Sequence, residues 1–538
     1  MKFYKIVSAS LALMLGWGGT GFAQNETDAL RYTRFGLTGS ARIQGIGGAQ
    51  TALGADISTI ASNPAGLGMF RRSEFSFSLG QQSMDAGTFS NVGQASEQES
   101  RFVIPQMGVV LPSRSTGNEG SDWKGITFGI GFTRLNNFNE TFSYQNRSEP
   151  TVHPDNFYRD NLYYNFNAIP SYFAELANGR PLNAGQTLLQ NLDAEYDAGI
   201  QTLSGLAYGT FLIDVFEDAN GIQYAGELLT FGNSNQQERV QRSGSQSQID
   251  IGAGTSYRDK IYLGASMGIV TTDFKQESLF EESGNYVATF DENGNPDVES
   301  PYSLALRDEF RSRGTGINLK LGLIARPTDA LRLGVSLQTP TFYQFSDTYQ
   351  SALSATTLNP TTLQSETISE ATFPGEFDYR LTTPLRATGG VAFFINKYGF
   401  ITADVEYVNY TNMRFSERDN MSSSSDYFSN INNSIENTFQ SAVNYRIGAE
   451  GRYEVFRVRA GYAHSGDPYS NSSVDGSVSS YTLGAGLRLK NYYLDLAYVN
   501  SKMESPYSPY VFSSGGGEPV IDIENKQSTV MLTLGYNF

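Results

Sequence analysis

The sequence of 538 residues contains no cysteine and only two histidines, His153 and His464. The absence of cysteine excludes disulfide bonds and thiolate metal sites. Two distant histidines give little support to a haem site or to the nucleophile–base pair of a hydrolase. No group of His, Asp and Glu has the spacing of a metal site either. We therefore expect no enzyme activity, no cofactor and no metal.

Positive charge and long apolar runs are also scarce. The formal net charge is −17, which argues against nucleic acid or anionic headgroups as partners. Lys2 and Lys5, an apolar core from Ile6 to Trp17 and small residues before a cut after Ala23 are typical of a secretory signal peptide, residues 1–23. Loss of those two lysines leaves a charge of −19. No later apolar run has the length of a transmembrane helix.

Aromatic residues, by contrast, are abundant, with 32 Tyr and 35 Phe. The chain ends in QSTVMLTLGYNF, in which every second residue from Val530 to Phe538 is apolar. Alternation of this kind indicates a strand with one apolar face, and here the strand continues to the last residue. It resembles the terminal signal by which outer-membrane barrels are assembled, so we expect the barrel assembly machinery to recognise Phe538.

The same alternation recurs along the chain, for example over 126–132, 261–269, 481–489 and 492–498. In a membrane barrel the apolar set faces lipid and the polar set faces the lumen, whereas a soluble sandwich reverses this assignment. Periodicity alone does not decide between the two. Several runs have about ten residues, which is nearer to a tilted spanning strand than to the usual five or six.

The order of connections supports a barrel. Every second connection between candidate strands is short, and most of the others are long and polar, as between the two sides of an outer membrane. An all-β fold follows, an antiparallel transmembrane β-barrel of about 14 strands. The predicted strands are 73–81, 102–112, 123–134, 239–258, 260–275, 304–325, 330–346, 376–395, 398–415, 438–451, 455–465, 475–490, 492–503 and 527–538. The predicted long outer loops are 135–238, 276–303, 347–375, 416–437 and 504–526.

Residues 24–72 precede the first strand and are small and rich in glycine. With little apolar mass of their own, they are expected to lie inside the lumen as an N-terminal hatch. The predicted domains are then the signal peptide, the hatch (24–72) and the barrel (73–538) with its long outer loops.

Residues 39–143 resemble the long-chain fatty acid transporter (FadL-type) family of outer-membrane proteins. The shared marks begin with GSARIQGIGGAQTALGADISTIASNPAGLGMFRRSEFSFSLG, which resembles the hatch and first strand and includes Asn63-Pro64-Ala65. FVIPQMGVVLPS resembles the second strand, with Pro105, and NFNETF (137–142) resembles the segment after the third. The C-terminal strand is similar as well, whereas the middle of the chain resembles the family only in architecture.

The resemblance implies passive uptake of hydrophobic molecules such as long-chain fatty acids or aromatic hydrocarbons. Outer loops would capture the ligand, the hatch would gate its passage, and release would be lateral, into the membrane. An apolar solute gains free energy by passing between apolar surfaces and lipid. The partners implied are hydrophobic small molecules and outer-membrane lipids around a monomer. A different reading is a barrel that docks proteins or assists secretion; a general porin fits less well because porins lack a hatch.

Two proline sites are candidate gating elements. Asn63-Pro64-Ala65 reads either as a plain turn into the first strand or as a lumenal contact and hinge of the hatch. Pro105 lies within a predicted strand, where it removes a ladder hydrogen bond. It marks either a local bulge or a weakened pairing between the second and third strands that assists lateral exit.

Two further groups of side chains are candidate ligand contacts. Loop 135–238 is predicted to be partly helical, with a capping box at Asn183-Ala184-Gly185-Gln186 and a stop at Gly199. Its apolar residues form either a helical pair packed on itself or the ligand groove; the groove candidates are Leu188, Leu189, Leu192, Leu203, Leu206 and Phe211. Inward-facing arginines either pair with lumenal carboxylates or meet a ligand carboxylate; they are Arg457, Arg459 and Arg488.

Overall fold

The computed structural model describes residues 26–113, 122–150, 164–290, 296–359, 362–418, 425–472, 474–513 and 515–538. The predicted signal peptide lies outside the described residues, as does His153. No helix in the described part of the chain is long and apolar enough to cross a membrane.

The chain begins with helices and continues mainly as strands. The α-helices are α1 (Glu26–Thr33), α2 (Ala41–Gln44), α3 (Ile169–Asn178), α4 (Leu188–Ala198), α5 (Leu203–Gly209) and α6 (Ser425–Thr438), and 3₁₀ turns occupy Ile57–Ile60, Pro64–Met69 and Tyr410–Asn412. The strands are β1 (Glu74–Phe89), β2 (Gln94–Val103), β3 (Gln106–Ser113), β4 (Trp123–Asn137), β5 (Glu140–Ser148), β6 (Ile213–Glu217), β7 (Gln223–Glu227), β8 (Thr230–Tyr257), β9 (Ile261–Phe290), β10 (Pro296–Ala325), β11 (Leu331–Gln338), β12 (Phe342–Leu358), β13 (Ser365–Ala371), β14 (Gly375–Thr382), β15 (Arg386–Ile395), β16 (Gly399–Asn409), β17 (Arg414–Glu417), β18 (Ser441–Tyr453), β19 (Phe456–Ser465), β20 (Val478–Arg488), β21 (Tyr492–Tyr507) and β22 (Ile521–Asn537).

All strands except the β6–β7 hairpin belong to one sheet of 20 strands. Several of them follow one another along the same line, as β2 and β3 do, so that the sheet fills the 14 positions of a closed antiparallel barrel. The first and last strands close it, in register from Glu74 opposite Asn537 to Phe89 opposite Asp522. The backbone N–H of Phe538 extends this seam with a hydrogen bond of 2.9 Å to Ser73 O. The predicted fold class and strand number are confirmed.

Alternating side chains face opposite sides of the wall, as in a membrane barrel. On β10, Leu319 and Leu321 point outward, and Leu321 is 61% exposed. Asn318 and Lys320 between them point inward, and Lys320 is 2% exposed. The outward face therefore presents the apolar band that lipid requires, and the polar set faces the lumen.

Three neighbouring strands are much longer than the sequence pattern predicts. β8 has 28 residues, and β9 and β10 have 30 each, whereas about 9–11 tilted residues cross a bilayer. The predicted loop 276–303 is therefore wrong over its described part, because β9 and β10 pair from Ile261–Ala325 to Phe290–Pro296. The loop predicted at 347–375 is likewise mostly strand, in β12 and β13. β8, β9 and β10 are thus about three times as long as a bilayer crossing requires, and we call these three strands the palisade.

Helices α3, α4 and α5 pack against the inner side of these long strands. Their apolar residues share one core with inward-facing residues of the long strands, such as Phe280, Leu304 and Leu353. The predicted helical character of the 135–238 region is correct between 169 and 209. We refer to residues 164–229, which contain these helices, as the outer cap.

Residues 26–72 lie inside the barrel, where they contact inward-facing residues from strands around the whole wall. Hydrogen bonds run from this segment to β22, β20, β16 and β10. The predicted location of the hatch segment is thus the observed one for its described residues. We call residues 26–72 the plug.

Candidate functional site

The plug is fixed to the wall mainly through its backbone. The Ala41 and Gly47 N–H groups donate to the hydroxyls of Thr533 (2.8 Å) and Thr482 (3.0 Å) on almost adjacent strands. On the other side of the lumen, one carboxylate oxygen of Asp404 accepts from the backbone N–H groups of Gln50 (2.8 Å) and Thr51 (2.9 Å). Charge-assisted bonds of this kind are stronger than neutral ones, so Asp404 is a principal anchor of the plug.

Glycines on most strands allow the plug backbone to touch the wall. A Cβ on Gly264 would lie 2.2 Å from the Pro64 carbonyl carbon, and one on Gly334 would lie 2.2 Å from Thr51 O. Contacts this close leave no room for any side chain larger than hydrogen. We define the glycine ring as the inward-facing glycines that contact the plug: Gly108, Gly129, Gly254, Gly264, Gly322, Gly334, Gly390, Gly448, Gly461 and Gly484.

The Asn63-Pro64-Ala65 turn fits against the part of this ring where three glycines are neighbours. The Asn63 side-chain oxygen accepts from Ala65 N (3.2 Å) and so caps the 3₁₀ turn Pro64–Met69. Its amide nitrogen donates to Thr51 O (2.7 Å) and to Leu323 O on β10 (3.4 Å). Both Asn63 and Pro64 are buried. Any movement of the plug at this turn has to break these bonds.

The lumenal charges beside the plug form one compensated network. Buried Arg459 pairs with Glu450 (2.7 Å) and Asp495 (2.8 Å), and Arg488 reaches the second oxygen of Asp495 (2.8 Å). From the plug, Arg42 approaches Glu450 at 3.7 Å. Of the two alternatives from the sequence, pairing with lumenal carboxylates is therefore the one observed for Arg459 and Arg488.

Arg457, the third predicted lumenal arginine, lies apart from this network. It is half-buried next to the short β18–β19 turn and donates to the backbone carbonyls of Glu454 (2.8 Å) and Phe456 (2.7 Å). These contacts fix the turn on the side of the barrel where both chain ends of the sheet lie.

Pro105 lies where the second barrel strand is interrupted. β2 pairs with β1 up to Val103 opposite Gly80, and β3 pairs with β4 from Gln106 onward. Between them Pro105 contributes its carbonyl, which accepts from Arg134 N at 2.8 Å. Within the described residues, β2 has no ladder to the third barrel strand. We call this break in the wall, between β2 and β5, the wall gap.

Side chains rather than a ladder bridge the wall gap. Gln82 on β1 contacts the Asn137 amide, and Thr141 on β5 donates to Glu99 at 3.1 Å. On the same edge of β5, the Ser143 carbonyl accepts from the Thr88 hydroxyl at 2.7 Å. Phe102 beside the gap is 85% exposed. Such contacts can separate at less cost than a continuous strand pair.

Behind the wall gap lies an aromatic chamber that sequence reasoning did not identify. Phe138, at the break between β4 and β5, packs edge-on to Phe274 with ring centroids 5.4 Å apart. Across the chamber, Phe345 stacks on Tyr379 at 5.4 Å. We define the aromatic chamber as the packed cluster of Phe138, Phe274, Tyr343, Phe345 and Tyr379, all of them buried.

A small polar cavity of about 110 Å³ separates the chamber region from the lower plug. Its wall carries the ion pair of Arg386 with Glu406 (3.2 Å) and the buried Lys320, which itself pairs with Asp250 (2.7 Å). Cations and carboxylates alternate, so the cavity is suited to water and to polar groups rather than to a hydrocarbon.

The outer-loop residues predicted to form a ligand groove are mostly core. Leu188, Leu192 and Leu206 are buried in the outer cap, and Leu189 and Leu203 are half-buried. Phe211 is the exception, since it is 66% exposed and has a positive φ of 58°. The arrangement corresponds to the alternative of helices packed on themselves.

The predicted capping box is displaced by four residues. Helix α4 begins after Thr187, whose hydroxyl accepts from Gln190 N, while the Gln190 side chain accepts from Thr187 N. Asn183 and Gln186 instead form a turn, with Gln186 N bonded to Asn183 O at 2.9 Å. Gly199 ends the helix as predicted, with φ of 104°.

Within the outer cap, a carboxylate connects helix α4 to the start of helix α5. Glu195 on α4 accepts from the backbone N–H groups of Gln201 (2.8 Å) and Thr202 (2.7 Å) before α5, and pairs with Arg180 at 2.7 Å. Burial by itself raises the pKa of Glu195, but the Gln201 N–H and the Arg180 guanidinium outweigh it and lower the pKa below the ordinary value.

No protein-family model and no curated protein matches the chain by sequence. Among solved structures, a FadL homologue from Pseudomonas aeruginosa matches with a TM-score of 0.51 and 13% identity, over 94% of this chain and 100% of that one. The Pseudomonas putida toluene transporter TodX matches at 0.48 (14% identity, 94% and 99% covered) and the Ralstonia pickettii toluene transporter TbuX at 0.45 (16%, 93% and 99%). The expected likeness to FadL-type barrels is confirmed at the level of the fold.

Proposed function

We propose that the protein is an outer-membrane channel for passive uptake of hydrophobic molecules, long-chain fatty acids or similar compounds. The observation that supports this proposal is the combination of a plugged lumen with a wall gap beside an aromatic chamber. A plug fixed by hydrogen bonds on several sides blocks a direct aqueous path through the barrel. The wall gap is a break in the described part of the ladder beside the chamber, and we propose it as the path from the chamber toward lipid.

The route follows from where apolar and polar surfaces lie. A hydrophobic solute enters at the outer side, passes to the aromatic chamber, and leaves through the wall gap into the bilayer. It avoids the charged cavity below, where an apolar molecule would displace water from ion pairs at a cost. Lateral release into hydrocarbon is favourable by about 0.8 kcal/mol for each CH₂ group buried.

The plug and Pro105 are the gating elements of this proposal. Asn63 bonds the plug to β10, and Pro64 and Ala65 lie against Gly264 of β9, so a path into the lumen opens when these contacts are lost. Pro105 prevents continuation of the β2 pairing and keeps the wall gap in place. The likeness to the solved FadL homologue supports the barrel and its position in an outer membrane, reached through the predicted signal peptide and assembled through Phe538. We further propose that it acts as a monomer.

Uptake into liposomes tests the proposal. Protein reconstituted in lipid vesicles is offered radiolabelled oleate, toluene and, as a polar control, glucose. Faster entry of oleate or toluene than in protein-free vesicles, with no entry of glucose, is the expected result. Absence of any hydrophobic uptake, together with co-purification of a protein partner, would contradict it.

Protein docking is the second candidate function, and one observation favours it. The palisade formed by β8, β9 and β10 is far longer than a bilayer crossing requires, and exposed apolar residues lie in and beside the outer cap. These are Phe211, Ile222 and Phe373. A channel needs no such surface, whereas a docking barrel does.

A further inference from the structure

The lysines of the described residues fall into two groups. Each member of the first group pairs with at least one carboxylate, as Lys320 does with Asp250 at 2.7 Å. The other members of this group are Lys275, Lys502 and Lys526. The lysines of the second group are exposed and form no ion pair with a described residue: Lys124, Lys260, Lys397 and Lys490.

All four unpaired lysines lie at the end of the barrel where β1 begins and β22 ends. Lys124 is at the start of β4, and the short connections β8–β9, β15–β16 and β20–β21 contain Lys260, Lys397 and Lys490. Arg72, at the exit of the plug, is exposed next to Lys490, because its guanidinium donates to the side-chain oxygen of the adjacent Asn491 at 3.1 Å. We define the basic rim as Arg72 and the four unpaired lysines.

The opposite end of the molecule is acidic. The outer cap contains eight Asp and Glu residues and a single cation, Arg180. Strands of up to 30 residues separate the two ends, which is about 100 Å of extended chain, whereas the Debye length is about 8 Å at physiological ionic strength. A group at the basic rim is therefore screened from the charge of the outer cap. The net charge of −17 argues against anionic headgroups as partners, but it does not describe this end of the barrel.

Exposed aromatic side chains place the basic rim at the level of lipid headgroups. Trp123 directly precedes Lys124, and Tyr398 directly follows Lys397; both aromatic side chains are exposed. Trp and Tyr at the end of an apolar band lie at the membrane–water interface. The lysines beside them extend their ammonium groups to the same level. The phosphate groups of lipids are therefore the anions within reach of the rim.

We propose that the basic rim binds anionic phospholipids of the leaflet on this side of the membrane. A zwitterionic headgroup brings its own cation to its phosphate, whereas an anionic headgroup leaves a charge that the unpaired lysines compensate. The short connections hold these lysines next to the membrane-spanning strands, so the ammonium groups meet headgroups rather than a distant partner. Each lysine near an anionic surface strengthens binding about fivefold. This role goes beyond the proposed channel function and does not depend on what the channel transports.

Trp123 reports on such lipids directly. It is the only tryptophan after the predicted signal peptide, and its ring contacts that of Tyr257, just before the connection with Lys260, at a centroid distance of 5.2 Å. The mature protein is reconstituted in phosphatidylcholine vesicles, and quenching of Trp123 fluorescence by brominated phosphatidylglycerol is compared with quenching by brominated phosphatidylcholine. We expect phosphatidylglycerol to associate about fivefold more strongly or better. This preference should disappear in 1 M NaCl, where the Debye length is about 3 Å.

Matched pairs of lysines make the result specific. The double variant Lys124→Gln, Lys260→Gln should lose the preference for phosphatidylglycerol. The control Lys275→Gln, Lys502→Gln has the same change of charge on two paired lysines far from the rim and should behave as wild type. Lys260→Gln alone should show an intermediate preference, and it supplies the measurement if the double variant fails to fold. Equal quenching of the wild type by the two lipids, or an unchanged preference in the rim variant, would overturn the inference. Absence of lipid preference together with poly-glutamate binding by wild type, but not by the rim variant, would assign the rim to an acidic protein instead.

Discussion

Replacing Gly264 by alanine should loosen the plug. In the structure Gly264 lies in register with Gly254 on one neighbouring strand and Gly322 on the other, and the three form a flat floor under the Pro64 carbonyl. A new Cβ would lie 2.2 Å from the Pro64 carbonyl atoms, about 1.2 Å short of the 3.4 Å at which ordinary contact begins. The strand is fixed by ladders on both sides, so the plug has to move.

The size of the effect follows from what that shift strains. A movement of about 1.2 Å stretches the bond from Ser266 to Ile60 O (2.8 Å) and that from Ser336 to Ser62 O (2.6 Å). Overpacking of this kind costs about 1–3 kcal/mol. If this strain is relieved when the plug moves out of place, the ratio of protein with a displaced plug (open) to protein with the plug in place (closed) rises about five- to 150-fold.

Single-channel recording in planar bilayers measures this ratio. Gly264→Ala should show more frequent openings, while Gly389→Ala, with nothing within 4 Å of its added methyl group, should match wild type. Unfolding in denaturant should show a lower midpoint for the first variant alone. A Gly264→Ala protein that stays closed and unfolds like wild type would refute the close apposition of plug and wall.

Three other changes test separate parts of the structure. Pro105→Ala restores a backbone N–H beside the wall gap and should slow hydrophobic uptake by liposomes; unchanged uptake would exclude a gating role for this proline. Arg459→Met removes the buried cation that joins Glu450 to Asp495 but leaves Arg452 beside Glu450 and Arg488 beside Asp495, so it should lower the free energy of unfolding by up to about 3 kcal/mol, against less than about 1 kcal/mol for Arg457→Met, as measured in denaturant. The pKa of Glu195 is lowered in the folded protein, so its stabilisation of the outer cap is complete above the unfolded pKa of about 4.3 and is lost as the pH falls through the lower folded pKa. Hydrogen exchange of α4 and α5 in the wild-type protein should therefore become faster in that pH window. A Glu195→Gln variant with the same pH response would contradict this role.

The transmembrane part of the fold was predictable because one rule governs it. Lipid outside and a polar lumen inside impose a period of two on every crossing, as at Leu319–Leu321 on β10. The short turns followed from the same pattern. Glycines on the lumenal face, such as Gly264 and Gly484, were visible in the sequence, but their meaning depends on a plug backbone that comes from elsewhere in the chain.

The sequence did not predict the palisade or the aromatic chamber, and the reasons are physical. Above the membrane the outer face of a strand meets water, so the apolar period disappears and 276–303 resembles a loop. The aromatic chamber joins Phe138, Phe274 and Phe345, which are far apart in sequence and meet only when the barrel closes. A signal was present in the apolar residues at inward positions of β12 and β14, where the membrane rule requires polar ones. The groove residues of the outer cap were misjudged because an apolar helical stripe looks the same in a core as in a ligand groove.

The glycine ring also constrains how the molecule comes into being. The plug precedes β1 in the chain, and β1 is one half of the seam with β22 that closes the wall. The plug backbone lies within contact distance of glycines on most strands, so the wall curves around the outline of the plug. We therefore expect the N-terminal segment to act as an internal template around which the barrel closes during assembly. Deleting it should impair the yield of closed barrels before it alters anything that passes through them.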